Sequence, residues 1–281
     1  MKVLVTGAKG QLGSDVMKEL SARGLTGIGV DIEEMDITDA AQVLAVIREA
    51  GPDAVIHCAA YTAVDKAEDE IDLCRAINAG GTEHVAEVCR QLDLPMMYIS
   101  TDYVFDGEGD QPRQPDDPDR DPVNIYGQTK LEGELAVEQL DKYFIVRISW
   151  VFGLRGKNFI KTMLGLGETH DHLDVVADQI GSPTYTVDLA RLLVDMIQTD
   201  RYGRYHATNE GLCSWYEFAE EIFRQKGMNV DVRPVASEAF PTRARRPHNS
   251  RMDKSKLVVQ GFDPLPTWQD ALGRYLRELE D

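Results

Sequence analysis

The stretch "VTGAKGQLG", Val5 to Gly13, stands where an apolar run at the start of the chain gives way to an amphipathic pattern. We predict a strand over Lys2–Thr6 and a helix from about Gln11 to Arg23, on either side of a glycine turn. In such a turn, glycines let backbone N–H groups approach a pyrophosphate, and the helix N-terminus adds positive potential. The placement predicts dinucleotide binding, with an ordinary turn as the alternative. The expected contacts are Gly7, Gly10, Gln11, Leu12 and Gly13.

Strand and helix patterns continue to alternate through the first half of the chain. Further strands are predicted over Gly27–Asp31, Ala54–Cys58, Met96–Ser100 and Phe144–Ser149. Helices are predicted over Ala40–Ala50, over Lys66–Leu92 with an interruption at Gly80–Gly81, and from about Tyr126. Alternation of this kind implies parallel strands, right-handed crossovers and helices on both faces of the sheet. The fold class is therefore α/β, with a Rossmann-like doubly wound parallel sheet.

After Val151 the alternation becomes irregular. Helices are expected near Asn158–Leu166, Val187–Gln198, Ser214–Lys226 and Trp268–Glu280, with strand-like pieces at Leu173–Ala177 and Arg204–Ala207. Ser214 and Glu217 have the spacing of a capping box. We expect residues 1–150 to form mainly an NAD(P)-binding domain. Residues 151–281 are expected to form mainly a smaller C-terminal substrate-binding lobe, interleaved with the end of the sheet.

The composition limits the classes of function. The chain has 281 residues, and its net charge of −18 comes from 48 acidic and 30 basic residues. So negative a field excludes a general nucleic-acid binder. The four cysteines are isolated, which indicates a reducing compartment, and the N-terminal apolar run is too short for a signal segment or a membrane span. We expect a cytoplasmic protein without a membrane partner.

Two loops are biased in charge. Asp106–Asn124 is rich in Asp, Pro and Gly, and predicts a mobile acidic loop because the alternation of strands and helices resumes after it. The run "PTRARRPHNSR", Pro241 to Arg251, carries four arginines and no acidic residue. On an acidic protein such a run indicates a site for a small anionic ligand, and a solvated basic turn is the alternative.

Acidic residues at the end of the second predicted strand suit the adenosine end of a dinucleotide. Asp31 stands where a carboxylate accepts hydrogen bonds from ribose hydroxyls, which favours NAD over NADP because a 2′-phosphate would be repelled. Asp36 and Ile37, in "EMDITD", are a candidate cradle for the adenine. A helix-capping role for Asp36 is equally compatible with the sequence.

A tyrosine and a lysine in "NIYGQTKLEGE", Asn124 to Glu134, share one face of a predicted helix. Tyr126 and Lys130 are four residues apart, and an ammonium near a phenol favours the phenolate and lowers the pKa of the tyrosine from about 10. The segment "STD", residues 100–102, ends the fourth strand, where ligands of α/β sheets bind. A hydroxyl of Thr101 or Ser100 could therefore share a substrate oxygen with Tyr126. A surface pair is the alternative.

These motifs together resemble the extended short-chain dehydrogenase/reductase superfamily. That resemblance rests on GxxGxxG, the YxxxK pair, "HCAAYT" (57–62), "STDYVF" (100–105) and "RISWVFG" (147–153). A closer resemblance, to the dTDP-4-dehydrorhamnose reductase family, rests on "CAAYTAVDKAE", "STDYVFDG", "NFIKTM", "DQIGSPT" and "ARRPHNS". It covers essentially the whole chain, and its motifs are more specific than YxxxK or the glycines.

The closer resemblance implies a reductase that uses NADPH or NADH, with dual use expected. Its substrate would be a dTDP-linked 4-keto sugar, dTDP-4-dehydro-L-rhamnose, whose C4 ketone is reduced to give dTDP-L-rhamnose. By resemblance, Tyr126 protonates the C4 oxygen, Lys130 holds the nicotinamide ribose and lowers the pKa of Tyr126, and Thr101 orients the carbonyl. The resemblance also implies a sugar pocket of Asp102, Tyr103 and Trp150, dTDP contacts from Arg246, Asn249 and Ser250, and cofactor contacts from Ala59, Ala60 and Tyr61.

Two other functions remain open on the sequence. One is a reductase or epimerase of another nucleotide sugar, because only the resemblance selects the sugar. The other is a non-catalytic, reductase-like regulatory subunit of methionine adenosyltransferase. We predict no metal, a monomer or homodimer, and packing roles for His57, Cys58, Trp215 and Tyr216.

Overall fold

The computed structural model describes residues 1–280 and contains α-helices and β-strands throughout. The strands, numbered in chain order, are β1 (Lys2–Thr6), β2 (Thr26–Val30), β3 (Ala54–His57), β4 (Met96–Thr101), β5 (Tyr143–Ile148), β6 (Val151–Phe152), β7 (His172–Val176), β8 (Ile180–Gly181), β9 (Thr184–Tyr185), β10 (Gly203–His206), β11 (Cys213–Ser214) and β12 (Asp231–Val235). The helices are α1 (Gln11–Ala22), α2 (Ala40–Ala50), α3 (Val64–Ala67), α4 (Ile71–Arg75), α5 (Thr82–Gln91), α6 (Ile125–Val137), α7 (Phe159–Gly167), α8 (Thr186–Ile197), α9 (Trp215–Lys226), α10 (Ser255–Val259) and α11 (Trp268–Glu278).

Six parallel strands form the central sheet, in the order β10-β5-β4-β3-β1-β2. Strand β2 lies on one side of β1, and β3 lies on the other side. The order in which strands are added to the sheet therefore reverses after β2. A crevice opens at the carboxyl ends of the strands at such a reversal, and ligands of doubly wound sheets bind there. The predicted fold class is confirmed.

The two faces of the sheet are covered by different helices because side chains alternate along each strand. On β1, Val3 and Val5 face a core that includes residues of α1 and α8. Leu4, between them, faces a core with residues of α2, α5 and α6. Strands β3 and β4 are buried along their whole length, as expected for the middle of a sheet covered on both faces.

A smaller lobe packs around its own aromatic core. Helices α7, α9 and α11 surround Phe152, Phe218 and Tyr275, and β7 pairs in parallel with β12. The capping box predicted from Ser214 and Glu217 is present at the start of α9. Residues 186–206 leave this lobe: α8 packs on α1, and β10 extends the central sheet next to β5.

The interruption predicted at Gly80–Gly81 was wrong. A π-helical turn over Ala76–Gly81 leads directly into α5, and the break in the predicted helix lies earlier, between Ala67 at the end of α3 and Ile71 at the start of α4. A Cβ on Gly81 would lie 2.7 Å from the side chain of Ile37, so the glycine serves close packing.

The acidic segment 106–124, predicted to be mobile, is anchored at several points. Arg113 forms a β-bridge with Met252, and the carbonyl of Pro115 accepts a hydrogen bond of 3.1 Å from buried Arg147. Arg120 forms an ion pair with Glu138, the residue that follows α6. Within residues 1–280, no helix combines the length and the apolar character needed to cross a membrane.

Candidate active site

A cavity of about 910 Å³ lies at the carboxyl edge of the sheet, at the reversal between β1 and β3. Most of the residues predicted from the sequence line it. Those residues are Gly7, Gly10, Gln11, Leu12, Gly13, Asp31, Asp36, Ile37, Ala59, Ala60, Thr101, Asp102, Tyr103, Tyr126, Lys130 and Trp150. Four predicted residues do not line it: Tyr61, Arg246, Asn249 and Ser250.

The glycine turn after β1 has the shape that a diphosphate requires. Gly7 has a φ of +63°, and a Cβ there would lie 2.8 Å from the backbone nitrogen of Ala59. A Cβ on Gly13 would lie 2.1 Å from the carbonyl oxygen of Gly7. Only glycine therefore allows β1, α1 and the end of β3 to approach this closely, and the N-terminus of α1 borders the cavity. The residues present fit the diphosphate of a dinucleotide.

Carboxylates surround the far end of the cavity. Asp31 lines it and accepts a hydrogen bond of 3.0 Å from the backbone N–H of Lys9. The Lys9 ammonium forms ion pairs with Glu33 at 2.6 Å and Glu34 at 3.1 Å. Among these four residues Lys9 is the only cation, and its charge is already paired, which gives this end of the cavity an acidic character.

Asp36 lines the cavity but does not cap a helix, so of the two roles considered from the sequence the adenine contact stays a prediction and the helix-capping role is wrong. Its side chain lines the cavity, and its Oδ1 accepts hydrogen bonds from the N–H and the hydroxyl of Thr38. These two hydrogen bonds lower the pKa of Asp36. The N-cap of the following helix α2 is Asp39, whose carboxylate accepts from two backbone N–H groups.

Tyr126 is placed in the first turn of α6 by a side-chain cap. The amide oxygen of Asn124 accepts a hydrogen bond of 2.8 Å from the N–H of Gly127. A Cβ on Gly127 would lie 2.2 Å from the carbonyl oxygen of Tyr103, so this glycine lets α6 pack against the segment after β4. The rings of Tyr103 and Tyr126 meet edge to face at 5.6 Å.

The expected lowering of the Tyr126 pKa by Lys130 is not found in the structure. Burial, together with the charge of Asp102, raises the pKa of Tyr126, while the hydroxyl of Thr101 opposes the rise. The Lys130 ammonium donates instead to the carbonyl of Ile99 at 2.7 Å and lies 4.0 Å from the centre of the Tyr98 ring. Burial lowers the pKa of Lys130 to about 7. Lys130 is therefore partly neutral near pH 7, which weakens its effect on a neighbouring phenol.

Thr101 and Asp102 form one buried hydrogen-bonded group at the end of β4. The Thr101 hydroxyl donates to Asp102 at 3.0 Å, and the Ser250 hydroxyl also donates to the Asp102 carboxylate at 2.5 Å. Burial raises the pKa of Asp102 to about 6, against the effect of the two hydroxyls. Ser250 thus contacts Asp102, a residue of the cavity lining, and its direct substrate contact stays a prediction.

Asn249 is occupied by the backbone of the acidic segment. It is buried, and its amide nitrogen donates to the carbonyls of Glu108 at 3.3 Å and Gln111 at 2.9 Å. Tyr61 does not line the cavity, and its hydroxyl donates to the carboxylate of Glu70 at 2.5 Å.

The basic run 241–251 is paired with carboxylates from other segments. Arg243 pairs with Asp69, and Arg245 pairs with Glu108. Arg246 pairs with Asp65 at 2.5 Å, and its second nitrogen lies 3.4 Å from the hydroxyl of Tyr103. The pairs of Arg243 and Arg245 are exposed to solvent, as in a solvated basic turn, whereas Arg246 is largely buried beside Tyr103; binding of a small anion by the run stays a prediction.

Trp215, predicted to have a packing role, packs against the core of the smaller lobe and is also a cavity residue that was not predicted as one. Trp215 lines the cavity, and its indole stacks on that of Trp150 with 3.7 Å between ring centroids and 16° between planes. The residue begins α9, so its side chain reaches the cavity from the smaller lobe. No sequence spacing linked Trp150 to Trp215, because the two residues are far apart in the chain and both pack against the core of the smaller lobe.

His57 and Cys58 are poorly suited to reaction. Burial lowers the pKa of His57 to about 3, and its ring hydrogen-bonds Thr6 and Thr82. Burial raises the pKa of the Cys58 thiol to about 12. In residues 1–280, no group of three or more His, Cys, Asp or Glu residues is arranged to hold a metal ion.

Comparison with known proteins gives one consistent result. The family model described as RmlD substrate binding domain matches residues 1–281. The chain is 41% identical over 278 residues to the spore coat polysaccharide biosynthesis protein SpsK of Bacillus subtilis, covering 99% of this chain and 97% of that protein. It is 41% identical over 277 residues to the dTDP-4-dehydrorhamnose reductase of Streptomyces griseus, covering 96% of this chain and 91% of that one.

Solved structures agree with these sequence matches. A dTDP-4-dehydrorhamnose reductase from Clostridium acetobutylicum superposes with a TM-score of 0.97 and 44% identity, with both chains fully covered. The dTDP-4-dehydrorhamnose reductase of Bacillus anthracis, solved in complex with NADP, gives 0.95 and 44% over 99% of each chain. The chain therefore belongs to the dTDP-4-dehydrorhamnose reductase family, which the RmlD substrate binding domain model describes.

Proposed function

We propose that the protein reduces the C4 ketone of dTDP-4-dehydro-L-rhamnose to dTDP-L-rhamnose, with a reduced nicotinamide dinucleotide as the hydride source. The proposal rests on one observation: a single cavity is lined by Thr101, Tyr126, Lys130 and the glycine turn. Relatives that match nearly the whole chain are dTDP-4-dehydrorhamnose reductases, which supports the choice of substrate.

The cofactor would lie along the β1–β3 reversal. The glycine turn, Gly7 to Gly13, would hold the diphosphate, and Asp31 would accept hydrogen bonds from the adenosine ribose. Asp36 and Ile37 would border the adenine, and Ala59 and Ala60 would leave room for the nicotinamide half. On this proposal residues 1–150 mainly bind the cofactor, and residues 151–281 mainly bind the sugar nucleotide.

A bound nicotinamide supplies a hydride to C4 of the sugar. Tyr126 gives the proton that the C4 oxygen needs, and its raised pKa keeps the phenol protonated at neutral pH, as a proton donor must be. Thr101 turns its hydroxyl from Asp102 to the same oxygen, so that two donors meet the developing negative charge. Lys130, when protonated, stabilises the phenolate that Tyr126 becomes, before water returns the proton.

Both NADH and NADPH are expected to act as the hydride donor. The acidic group around Asp31 disfavours the 2′-phosphate of NADPH, while an NADP complex of a relative at 44% identity supports its use in the family. Lys9 is the cation nearest to this end, and a 2′-phosphate could compete with Glu33 and Glu34 for its ammonium.

The test follows the oxidation of NADH and of NADPH by the purified protein with the dTDP-linked keto sugar. Turnover with this substrate, together with much slower turnover of UDP- and GDP-linked keto sugars, is the expected outcome. Activity on another nucleotide sugar would replace the proposed substrate. No oxidation of either cofactor with any keto sugar would sink the enzyme assignment and favour a non-catalytic binding subunit.

A further inference from the structure

Trp150 has an unusual backbone conformation for a bulky residue. Its φ is +49°, in the left-handed region that side chains rarely occupy. Two hydrogen bonds from Thr184 hold this turn: its N–H donates to the carbonyl of Trp150 at 3.1 Å, and its hydroxyl donates to that of Ser149 at 2.6 Å. A strained residue persists where its surroundings fix it, and such residues cluster at functional sites.

The indole of Trp150 is fixed from the smaller lobe as well. It stacks on Trp215, whose Nε1–H donates to the side chain of Gln179 at 3.2 Å and whose ring packs on Phe159 at 4.6 Å. Gly181 lies against the same indole, since a Cβ there would be 3.0 Å from Cε2 of Trp150. The Trp150 ring is therefore confined by residues of β8 and α9, both in the second half of the chain.

The stack forms an aromatic wall in a polar part of the cavity. Trp150 and Trp215 both line the cavity, as do Thr101, Asp102 and Tyr103. Polar groups hydrogen-bond the hydroxyls and carbonyl of a sugar, while an aromatic face contacts its C–H groups and a deoxy-sugar methyl. An indole that is already fixed in orientation loses less conformational entropy on ligand binding than a mobile one.

We propose that Trp215 is a positioning residue for the sugar, because its stack with Trp150 holds that indole as the wall on which the apolar face of the 6-deoxy-4-keto sugar rests. The proposal deepens the proposed function and rests on it. It assigns to the first residue of α9 a role in substrate recognition and leaves cofactor binding to the first half of the chain.

The experiment compares Trp215→Ala, Trp215→Phe and Gly181→Ala. Trp215→Ala removes the stack, and Trp215→Phe keeps an aromatic partner. Gly181→Ala crowds the Trp150 indole, and Ser250 with it, while Trp215 stays intact. The matched control is Trp268→Phe, because Trp268 lies in the core of the same lobe and its buried Nε1 has no hydrogen-bond partner in the described structure. Each variant is assayed for KM of the dTDP-keto sugar, kcat, and Kd for the reduced cofactor.

Trp215→Ala and Gly181→Ala should raise the KM for the keto sugar about threefold to tenfold, because one aromatic stack contributes about that factor to binding. The cofactor Kd should stay unchanged. Trp215→Phe should recover most of the loss, and Trp268→Phe should match the wild type. An unchanged KM in Trp215→Ala overturns the proposal. An equal weakening of cofactor binding also overturns it, because general loss of packing would then explain the effect.

A spectroscopic readout separates this proposal from the proposed function. Two stacked indoles give an exciton couplet in circular dichroism, which Trp215→Ala and Trp215→Phe should abolish and Trp268→Phe should preserve. Binding of dTDP-L-rhamnose to the wild type should change the couplet without any turnover. If the wild type binds this product and changes the couplet but oxidises no cofactor, the proposed function fails and the stack is retained. If turnover occurs while the couplet stays constant and KM is unaffected, the stack proposal fails alone.

Discussion

Glu134 and Arg147 are joined by two hydrogen bonds of 2.8 Å, and neither side chain is exposed to solvent. Glu134 lies one helical turn beyond Lys130 on α6, and Arg147 lies on β5. The pair fixes the helix that carries Tyr126 and Lys130 to the sheet. The charge of Glu134 also opposes the fall in the pKa of Lys130 that burial causes.

Replacing Glu134 with Gln should lower the free energy of unfolding by about 3–5 kcal/mol, because the buried guanidinium of Arg147 loses its carboxylate partner. Urea unfolding measures the change. The control is Arg75→Ala. Arg75 is the exposed partner of Glu132, which lies on α6 like Glu134, and its loss should lower the free energy of unfolding by no more than about 1 kcal/mol. Equal losses in the two variants would mean that burial of the pair contributes nothing.

Replacing Tyr126 with Phe should reduce kcat by about 10²–10⁴, the contribution of a positioned proton donor. The ring remains, so its edge-to-face contact with Tyr103 and the fold are preserved. Fluorescence titration should show a cofactor Kd close to that of the wild type. Turnover equal to that of the wild type would refute the proton-donor role.

Lys130 should make stability depend on pH in a defined direction. Its pKa falls from the ordinary value of 10.5 to about 7 on folding, so between these values the unfolded chain binds more protons than the native protein. The destabilisation by Lys130 is therefore complete below pH 7 and is lost as the pH rises toward 10.5.

The variant Lys130→Met lacks this titration. Its free energy of unfolding should exceed that of the wild type most at pH 6, and the difference should shrink steadily up to pH 10. Urea unfolding without cofactor, at a series of pH values, gives both curves. A constant difference between them would show that Lys130 has the same pKa in both states.

Gly13→Ala should abolish cofactor binding, because the added Cβ would lie 2.1 Å from the carbonyl oxygen of Gly7 and force the turn open. The matched control is Gly165→Ala in α7, where a Cβ would meet nothing within 4 Å. That control should stabilise the protein by about 0.5–1 kcal/mol and leave the cofactor Kd unchanged. Titration and thermal unfolding of both variants decide the point.

Asp31→Asn should raise kcat/KM with NADPH relative to NADH by about tenfold, because it removes a charge that repels the 2′-phosphate. Glu33→Gln should act in the same direction by releasing Lys9 from one of its two ion pairs. Glu49→Gln, an exposed acid outside the cavity, is the control for net charge. An unchanged ratio in Asp31→Asn would show that Asp31 does not face the ribose.

Local patterns were enough to predict the strands of the first half and the glycine turn. Helix α2 was predicted with its observed bounds, and β4 was predicted to within one residue, because short apolar runs and N-cap residues act locally. The position of Tyr126 beside Thr101 followed from two local facts, a strand end and a helix start. Those predictions required no knowledge of long-range packing.

Contacts between distant segments could not be predicted. Local sequence gave no sign that Arg246 would pair with Asp65, or that Ser250 would donate to Asp102, because each partner lies more than a hundred residues away. The pKa of Tyr126 was predicted in the wrong direction because the sequence gives the spacing to Lys130 but neither the burial of the phenol nor the carbonyl of Ile99 that binds the ammonium.

Strand β10 has a consequence for how the protein can be made and altered. Because Gly203–His206 pairs with β5 and α8 covers α1, a nascent chain cannot complete the sheet until His206 has left the ribosome. A fragment ending at residue 150 would expose the edge of β5 and an apolar face of α1. The two halves are therefore unsuited to exchange between relatives by a single crossover at residue 150, and a chimaera should keep residues 1–150 and 186–206 from the same parent.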